Sequence, residues 1–224
     1  MDPSAKIFAM SMTSLNSMFM MYHYNSYANN PVMLRTNKPL IMRDVFLTKC
    51  TSMFPNPLSS IYTTSWFDAL TSSAMHWLCA MPVVNIIGWR MGLVVYFGSG
   101  AMSSFAYLFQ HQINPTKRKT KYDCACSSNG ALAGLCTLSL LLPKCYIPTS
   151  KNVHAAPLAL LWWGKCLFDE YYLSRRGEVG QIQVTNSGSI GGIFFGLMFA
   201  SLFLRTKVDL SAMRAFYRNL GQSR

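Results

Sequence analysis

Two glycine-bearing segments hold the polar side chains whose chemistry bears most directly on function. Asn129 lies in the segment 128–134, and Ser189 lies in the segment 188–196. Glycines four residues apart allow two helices to approach closely, and a buried polar side chain at such a contact needs a partner. We therefore predict that Asn129 and Ser189 lie near each other and hydrogen-bond across a helix contact. The packing residues of that contact are predicted to be Gly130, Gly134, Gly191, Gly192 and Gly196.

The elements that position these residues are predicted to be apolar helices. Of the 224 residues, 51% are apolar and 12% are charged, which is about half the charged fraction of an ordinary soluble domain. Four uncharged runs reach the length of about 20 residues that a helix needs to cross a hydrocarbon core: 69–89, 91–114, 124–143 and 179–204. None shows the alternation of a strand. The predicted fold class is therefore all-α, a polytopic membrane bundle of five to six transmembrane helices.

A fifth run, 153–168, is shorter and contains Lys165. We interpret it as a span whose lysine extends toward the membrane interface, because a long basic side chain can bury its stem and keep its charge in water.

The N-terminal segment 7–34 leaves three alternatives open: a weak first span, a helix lying on the membrane surface, or a retained targeting segment. It is uncharged but rich in Ser, Thr, Asn and Tyr. We favour an interfacial or partner-bound helix. The predicted organisation is a polar N-terminal extension over 1–50, a membrane domain over 51–204, and a basic amphipathic tail over 205–224.

The net charge of +12 does not indicate a nucleic-acid-binding protein. The basic residues lie in the loops between the runs and in the tail: Lys117, Arg118, Lys119, Lys121, Arg205, Lys207, Arg214 and Arg218. Lysines and arginines in these places are typical of loops that flank transmembrane helices and contact anionic headgroups. Lipids are therefore expected partners, and nucleic acid is not.

The seven cysteines do not predict a disulfide framework, since their number is odd and Cys79, Cys136 and Cys166 lie inside apolar runs. There, a free cysteine behaves as a small apolar residue. Cys124 and Cys126 are separated by one residue, which is a poor spacing for zinc. Phosphate-binding and dinucleotide-binding motifs are absent from the sequence, so we expect neither a metal nor a cofactor.

Four segments in order resemble the rhomboid superfamily of intramembrane serine proteases. Residues 66–78 resemble the entry to the second core span, and residues 89–100 resemble the third. Residues 127–135 resemble the segment that carries the nucleophile, and residues 189–196 resemble the segment that carries the base. The resemblance covers about residues 60–204 and implies a rhomboid-like bundle.

The catalytic positions of the family are changed in this chain. Rhomboids cleave with a Ser–His dyad, whereas the aligned nucleophile here is Asn129 and the aligned base is Ser189. A carboxamide is not an activated nucleophile, and a hydroxyl does not accept a proton as imidazole does. Ala80 occupies the position of the oxyanion-stabilising asparagine, and Ser127 replaces the first glycine of the nucleophile motif. The resemblance therefore implies a pseudoprotease with vestigial dyad positions and no catalytic residues.

Two alternative functions remain open from the sequence. The chain is an active intramembrane protease if Ser128 and His76 form a shifted dyad, although one residue along a helix turns the side chain by about 100°. It is a protein-translocation component if a stripe of polar residues lines a cavity. Asn85 and Lys165 are the candidates for such a stripe within the apolar runs.

The favoured prediction is a catalytically inactive rhomboid-like membrane protein that acts as a structural or accessory subunit. Its expected partners are other membrane subunits of a complex, together with lipids. The first 50 residues contain five Lys or Arg and two acidic residues, which is typical of a mitochondrial import signal, and a secretory signal pattern is not visible. The predicted location is the mitochondrial inner membrane, in a respiratory-chain, ATP synthase or protein-import complex.

Overall fold

The computed structural model is a bundle of helices. It describes residues 2–27, 48–49, 54–63, 66–113, 124–125, 127–150, 153–173, 184–185 and 188–204. Within them the helices are α1 (Pro3–Tyr27), α2 (Trp66–Ile87), α3 (Trp89–Ile113), α4 (Ser128–Leu141), α5 (Ala156–Phe168) and α6 (Ser189–Phe203). A π-helical turn, His76–Ala80, lies within α2, and a second, Asp169–Leu173, follows α5. The all-α prediction is confirmed for this part of the chain.

The helices differ in length. Two of those described, α2 and the Trp89–Gln110 part of α3, are long and apolar enough to cross a membrane by length and composition. Helices α4 and α6 are also apolar but have 14 and 15 residues. The runs predicted over 124–143 and 179–204 were longer than the helices they contain, because each run includes a two-residue strand before its helix begins.

Three strands of two residues each hold together the connections before α4 and α6. They are β1 (Thr48–Lys49), β2 (Cys124–Ala125) and β3 (Val184–Thr185). The order is β1-β2-β3, with β1 antiparallel to β2 and β2 parallel to β3. Because β2 and β3 are parallel neighbours, α4 and α6 begin side by side.

Helix α1 belongs to the same hydrophobic core as the other helices. Its buried side chains Ala5, Phe8, Met12 and Phe19 pack in one cluster with residues of α2, α3 and α4. The predicted boundary at residue 50 separates this helix from the membrane domain, whereas in the structure it packs against α2 along its length. Residues 28–34 of the predicted segment, the basic loop at 117–121 and the tail at 205–224 lie outside the described residues.

The helix directions give the bundle two ends. Gly88 joins α2 to α3 in the left-handed region (φ +89°), and its N–H donates to the Val84 carbonyl at 2.8 Å. Beside α3, Ser103 faces Gly130 and Ser99 faces Gly134, so α4 runs antiparallel to α3. We call the end where α4 and α6 begin the Ser127 end, and the opposite end the Gly88 end.

Helix α4 occupies the centre of the bundle. Residues 128–139, twelve of its 14, are buried, and α3, α5 and α6 all pack against it. A helix that is apolar on every side is expected where neighbours surround it completely. This central position brings the segment around Asn129 into the interior.

Candidate functional site

The predicted glycines form a contact between α4 and α6 in which the two backbones touch. A Cβ on Gly192 would overlap the carbonyl of Gly130, and a Cβ on Gly196 would lie 2.7 Å from the carbonyl oxygen of Gly134. A Cβ on Gly134 would lie 3.1 Å from the carbonyl oxygen of Gly192. The contact therefore requires that Gly192 and Gly196 lack side chains, whereas a Cβ on Gly130 or Gly134 would first overlap Ser103 or Ser99 of α3.

The fifth predicted packing residue, Gly191, faces a different helix. A Cβ there would overlap the carbonyl of Met102 and lie 3.0 Å from the Cβ of Ala106, both on α3. Gly188, which precedes α6, has a positive φ of 94° and its missing Cβ leaves room for the backbone of Tyr107. Helix α6 therefore packs closely against α3 at Gly191 and against α4 at Gly192 and Gly196.

Asn129 and Ser189 begin their helices beside each other. Both are buried, and the Cα of Ser189 lies 3.3 Å from the position that a Cβ on Gly130 would take. The predicted hydrogen bond between the two side chains is not formed, however, because neither amide atom of Asn129 has a hydrogen-bond partner among the described residues. The sequence predicted the proximity of the two positions but not the direction of the amide.

Cys166 of α5 lies between the two positions. Its thiol donates to the backbone carbonyl of Asn129 at 3.9 Å and hydrogen-bonds the Ser189 hydroxyl. The indole Nε1 of Trp162 donates to the same Asn129 carbonyl at 3.3 Å. The first turn of α4 is therefore bonded to α5 through its backbone, and the side chain of Asn129 takes no part.

The alternative dyad of Ser128 and His76 is not assembled. Both residues are buried, yet Ser128 Oγ and His76 Nε2 each lack a hydrogen-bond partner among the described residues. His76 Nδ1 donates to the Ser72 carbonyl at 2.7 Å, and the His76 ring packs against Tyr96 with the ring centroids 5.6 Å apart. The ring is thus held within α2 and against α3, away from a hydrogen bond to Ser128.

A cluster of serines at the Ser127 end was not predicted. Ser59 Oγ donates to the Asn56 carbonyl at 2.6 Å and hydrogen-bonds Ser104 Oγ at 2.9 Å and Ser127 Oγ. The Ser127 N–H donates to the Ser59 carbonyl at 3.1 Å. The short 3-10 turn Pro57–Ile61 is thereby fixed to α3 and to the start of α4. Ser59 lies outside every apolar run, so no sequence pattern indicated its role.

Lys165 forms ion pairs with two carboxylates of the bundle. Its Nζ lies 2.7 Å from Asp68 Oδ1 on α2 and 2.6 Å from Asp169 Oδ2 on the turn after α5. It also lies 5.1 Å from the ring centroid of Trp162. The sequence did not predict these ion pairs, because one of the two carboxylates lies 97 positions earlier in the chain.

Four of the cysteines lie buried and free in the interior: Cys79, Cys136, Cys145 and Cys166. The side chains of Cys124 and Cys126 lie outside the described part. Among the residues that the structure describes, no group of three or more His, Cys, Asp or Glu side chains is placed to hold a metal ion.

The described part of the chain is a helical bundle in which the central helix, α4, packs against α6 at glycine residues. No family model, no curated protein and no solved structure matches this chain.

Proposed function

We propose that this chain is an integral membrane protein with a rhomboid-like bundle, that it has lost proteolytic activity, and that it acts as a structural or accessory subunit of a mitochondrial inner-membrane complex. The observation that carries the proposal is the α4–α6 contact. It brings together the two segments that resemble the nucleophile and base segments of rhomboids, with Asn129 and Ser189 at the places of the dyad.

Support for membrane insertion comes from the side chains that face outward. Large apolar residues on α3, α5 and α6 are more than half exposed, among them Phe109, Leu161 and Leu202. Polar residues such as His76 and Asn129 are fully buried. Contiguous apolar surface is rare on soluble monomers, and polar side chains within a membrane face the interior of the bundle.

Support for the loss of proteolysis comes from the chemistry at the site. The amide of Asn129 provides no alkoxide, and Ser189 provides no base near neutral pH. His76 and Ser128 do not hydrogen-bond each other. Loss of the nucleophile or the base costs about a million-fold in rate in a serine protease, so cleavage above background is not expected.

Support for a subunit role comes from the outer face of α1. Ile7, Met10, Met18 and Met21 are each more than half exposed on one side of this helix. Methionine adapts its shape to irregular neighbours and is common on surfaces that dock partners. The acid-poor N-terminal 50 residues favour mitochondrial import.

The test is isolation of the tagged chain from its native membranes. After carbonate washing, membranes are dissolved in digitonin and separated by native electrophoresis, and co-purified proteins are identified by mass spectrometry. We expect the chain to stay in the carbonate pellet and to migrate with defined inner-membrane subunits well above its own 25.2 kDa.

Two outcomes would contradict separate parts of the proposal. Release by carbonate contradicts membrane insertion. Migration as a monomer contradicts the subunit role. Two single variants, Met10→Lys and its control Lys6→Met, each change the net charge by one unit at an exposed position of α1. We expect only Met10→Lys to reduce co-purification.

A further inference from the structure

An apolar groove runs between α1 and α3 at the Gly88 end. It has a volume of about 350 Å³ and is lined by Ser4, Ile7, Phe8, Ser11, Met12, Trp89 and Leu93. This volume lies within the range of about 300–1,000 Å³ of sites that bind small molecules. Along α1 the groove extends from Ser4 to Met12, which is about 12 Å at 1.5 Å per residue.

A cation lies beside one of the residues that line the groove. The guanidinium of Arg90 lies 5.5 Å from the ring centroid of Trp89, which lines the groove. Both side chains are exposed. Arg90 makes no ion pair with any described residue. The Asp2 carboxylate accepts from the Ser4 N–H at 3.0 Å and from the Ser4 hydroxyl at 2.6 Å, and among the described residues it forms no ion pair with Arg90.

We propose that this groove binds one acyl chain of an anionic glycerophospholipid and that Arg90 pairs with its phosphodiester group. The proposal rests on the proposed membrane insertion. Arginine suits phosphate because its planar guanidinium donates two parallel hydrogen bonds. Trp89 beside Arg90 is suited to the boundary between acyl chain and headgroup. The remainder of the groove offers apolar side chains and two serines, which fit a hydrocarbon chain and not a second charge.

The charge of the chain argues against the groove being covered by its own C-terminal tail. Residues 205–224 carry Arg205, Lys207, Arg214, Arg218 and Arg224 against a single acidic residue, Asp209. Such a segment would place further cations beside Arg90, and like charges repel. An anionic ligand is the complementary occupant.

The test is native mass spectrometry of the full chain, purified in detergent, delipidated and titrated with phosphatidylglycerol, phosphatidylcholine or diacylglycerol. We expect one phosphatidylglycerol to be retained in preference to the other two. Arg90→Gln should weaken that binding about fivefold, since one basic residue contributes about 1 kcal/mol to the binding of anionic lipid. Lys144→Gln, which removes an exposed cation at the same end, should leave it unchanged.

A second pair of variants tests the groove itself. Ser11→Trp fills it from an exposed position, whereas Ser14→Trp places the same side chain on α1 outside it. We expect about tenfold weaker binding of all three lipids in Ser11→Trp and unchanged binding in Ser14→Trp, because an indole removes most of the space for an acyl chain.

Equal lipid binding by the wild type, Ser11→Trp and Arg90→Gln would overturn the proposal. So would stronger lipid binding after deletion of residues 205–224, which would show that the tail occupies the groove. Neither result bears on the proposed membrane insertion. That proposal is contradicted only if carbonate releases the chain from its membranes.

Discussion

Helix α4 meets its neighbours α6 and α5 in two different ways. Against α6 the contact is backbone on backbone, and it depends on the absence of side chains at Gly192 and Gly196, which face the Gly130 and Gly134 carbonyls. Against α5 the contact depends on side chains that reach the α4 backbone or its Thr137 hydroxyl: Trp162, Trp163 and Cys166.

The two contacts are expected to tolerate substitutions to different degrees. A backbone contact has no flexible atoms to move aside, so an added methyl group forces the helices apart. A contact made by individual hydrogen bonds loses only the contribution of the bond that is removed. The α4–α6 contact should therefore be the more sensitive of the two.

The largest effect is expected for Gly192→Ala, because its Cβ would overlap the Gly130 carbonyl. We expect a loss of about 3 kcal/mol or more in the free energy of unfolding, measured by thermal or denaturant unfolding in mild detergent. Gly164→Ala on α5 is the control, since nothing lies within 4 Å of its Cβ position. There we expect a gain of about 0.5–1 kcal/mol, and similar losses in both variants would contradict the account of the contact.

The next effect concerns Lys165, which joins α5 to α2. Lys165→Met leaves Asp68 and Asp169 without their shared cation. We expect a loss of about 2–3 kcal/mol, below the full value for a buried pair because the side chains are partly exposed. The triple variant that adds Asp68→Asn and Asp169→Asn should recover most of this loss in the same unfolding measurement. An unchanged midpoint for Lys165→Met alone would show that the ion pairs do not stabilise the bundle.

A smaller effect is expected on the α5 side of α4. Trp162→Phe removes the indole N–H that donates to the Asn129 carbonyl at 3.3 Å and keeps an aromatic ring. We expect a loss of about 1 kcal/mol. The matched variant Trp163→Phe removes the bond to Thr137 Oγ1 at 3.2 Å and should cost a similar amount. A loss as large as that of Gly192→Ala would remove the distinction between the two contacts.

The smallest effect is expected for Asn129→Ala. The amide is buried without a partner, and such a group costs about 1–3 kcal/mol, which offsets the small cavity that the substitution leaves. We expect a net change within about 1 kcal/mol of zero. A marked destabilisation would show that the amide makes a contact in the membrane that stabilises the bundle.

The sequence predicted the helical class, the buried cysteines Cys79, Cys136 and Cys166, and the closeness of Asn129 to Ser189. These features depend on local composition and on glycine spacing, both of which are visible in one chain. The ion pair between Asp68 and Lys165 and the cluster of Ser59, Ser104 and Ser127 were not predictable, because each joins residues on different helices whose relative rotation the sequence does not specify. The lengths of α4 and α6 were overestimated, because their uncharged runs also contain two-residue strands.

The position of α1 shows the same limit. Its serines and two asparagines give it a polar composition, yet Asn16 lies inside the bundle, and Ala5, Ala9 and Met12 pack in the core. A single-chain hydropathy pattern measures how apolar a helix is, and tertiary packing decides which of its faces is buried.

The proposed loss of proteolytic activity is tested most directly by labelling with a fluorophosphonate probe, which reacts with activated serines. The full chain in lipid vesicles is treated beside an active rhomboid protease as a positive control, and the labelled residues are mapped by mass spectrometry. We predict no labelling of the chain above background, since neither Asn129 nor Ser128 has a base within hydrogen-bonding reach. Labelling at Ser128 that disappears in Ser128→Ala and persists in Ser127→Ala would contradict the account.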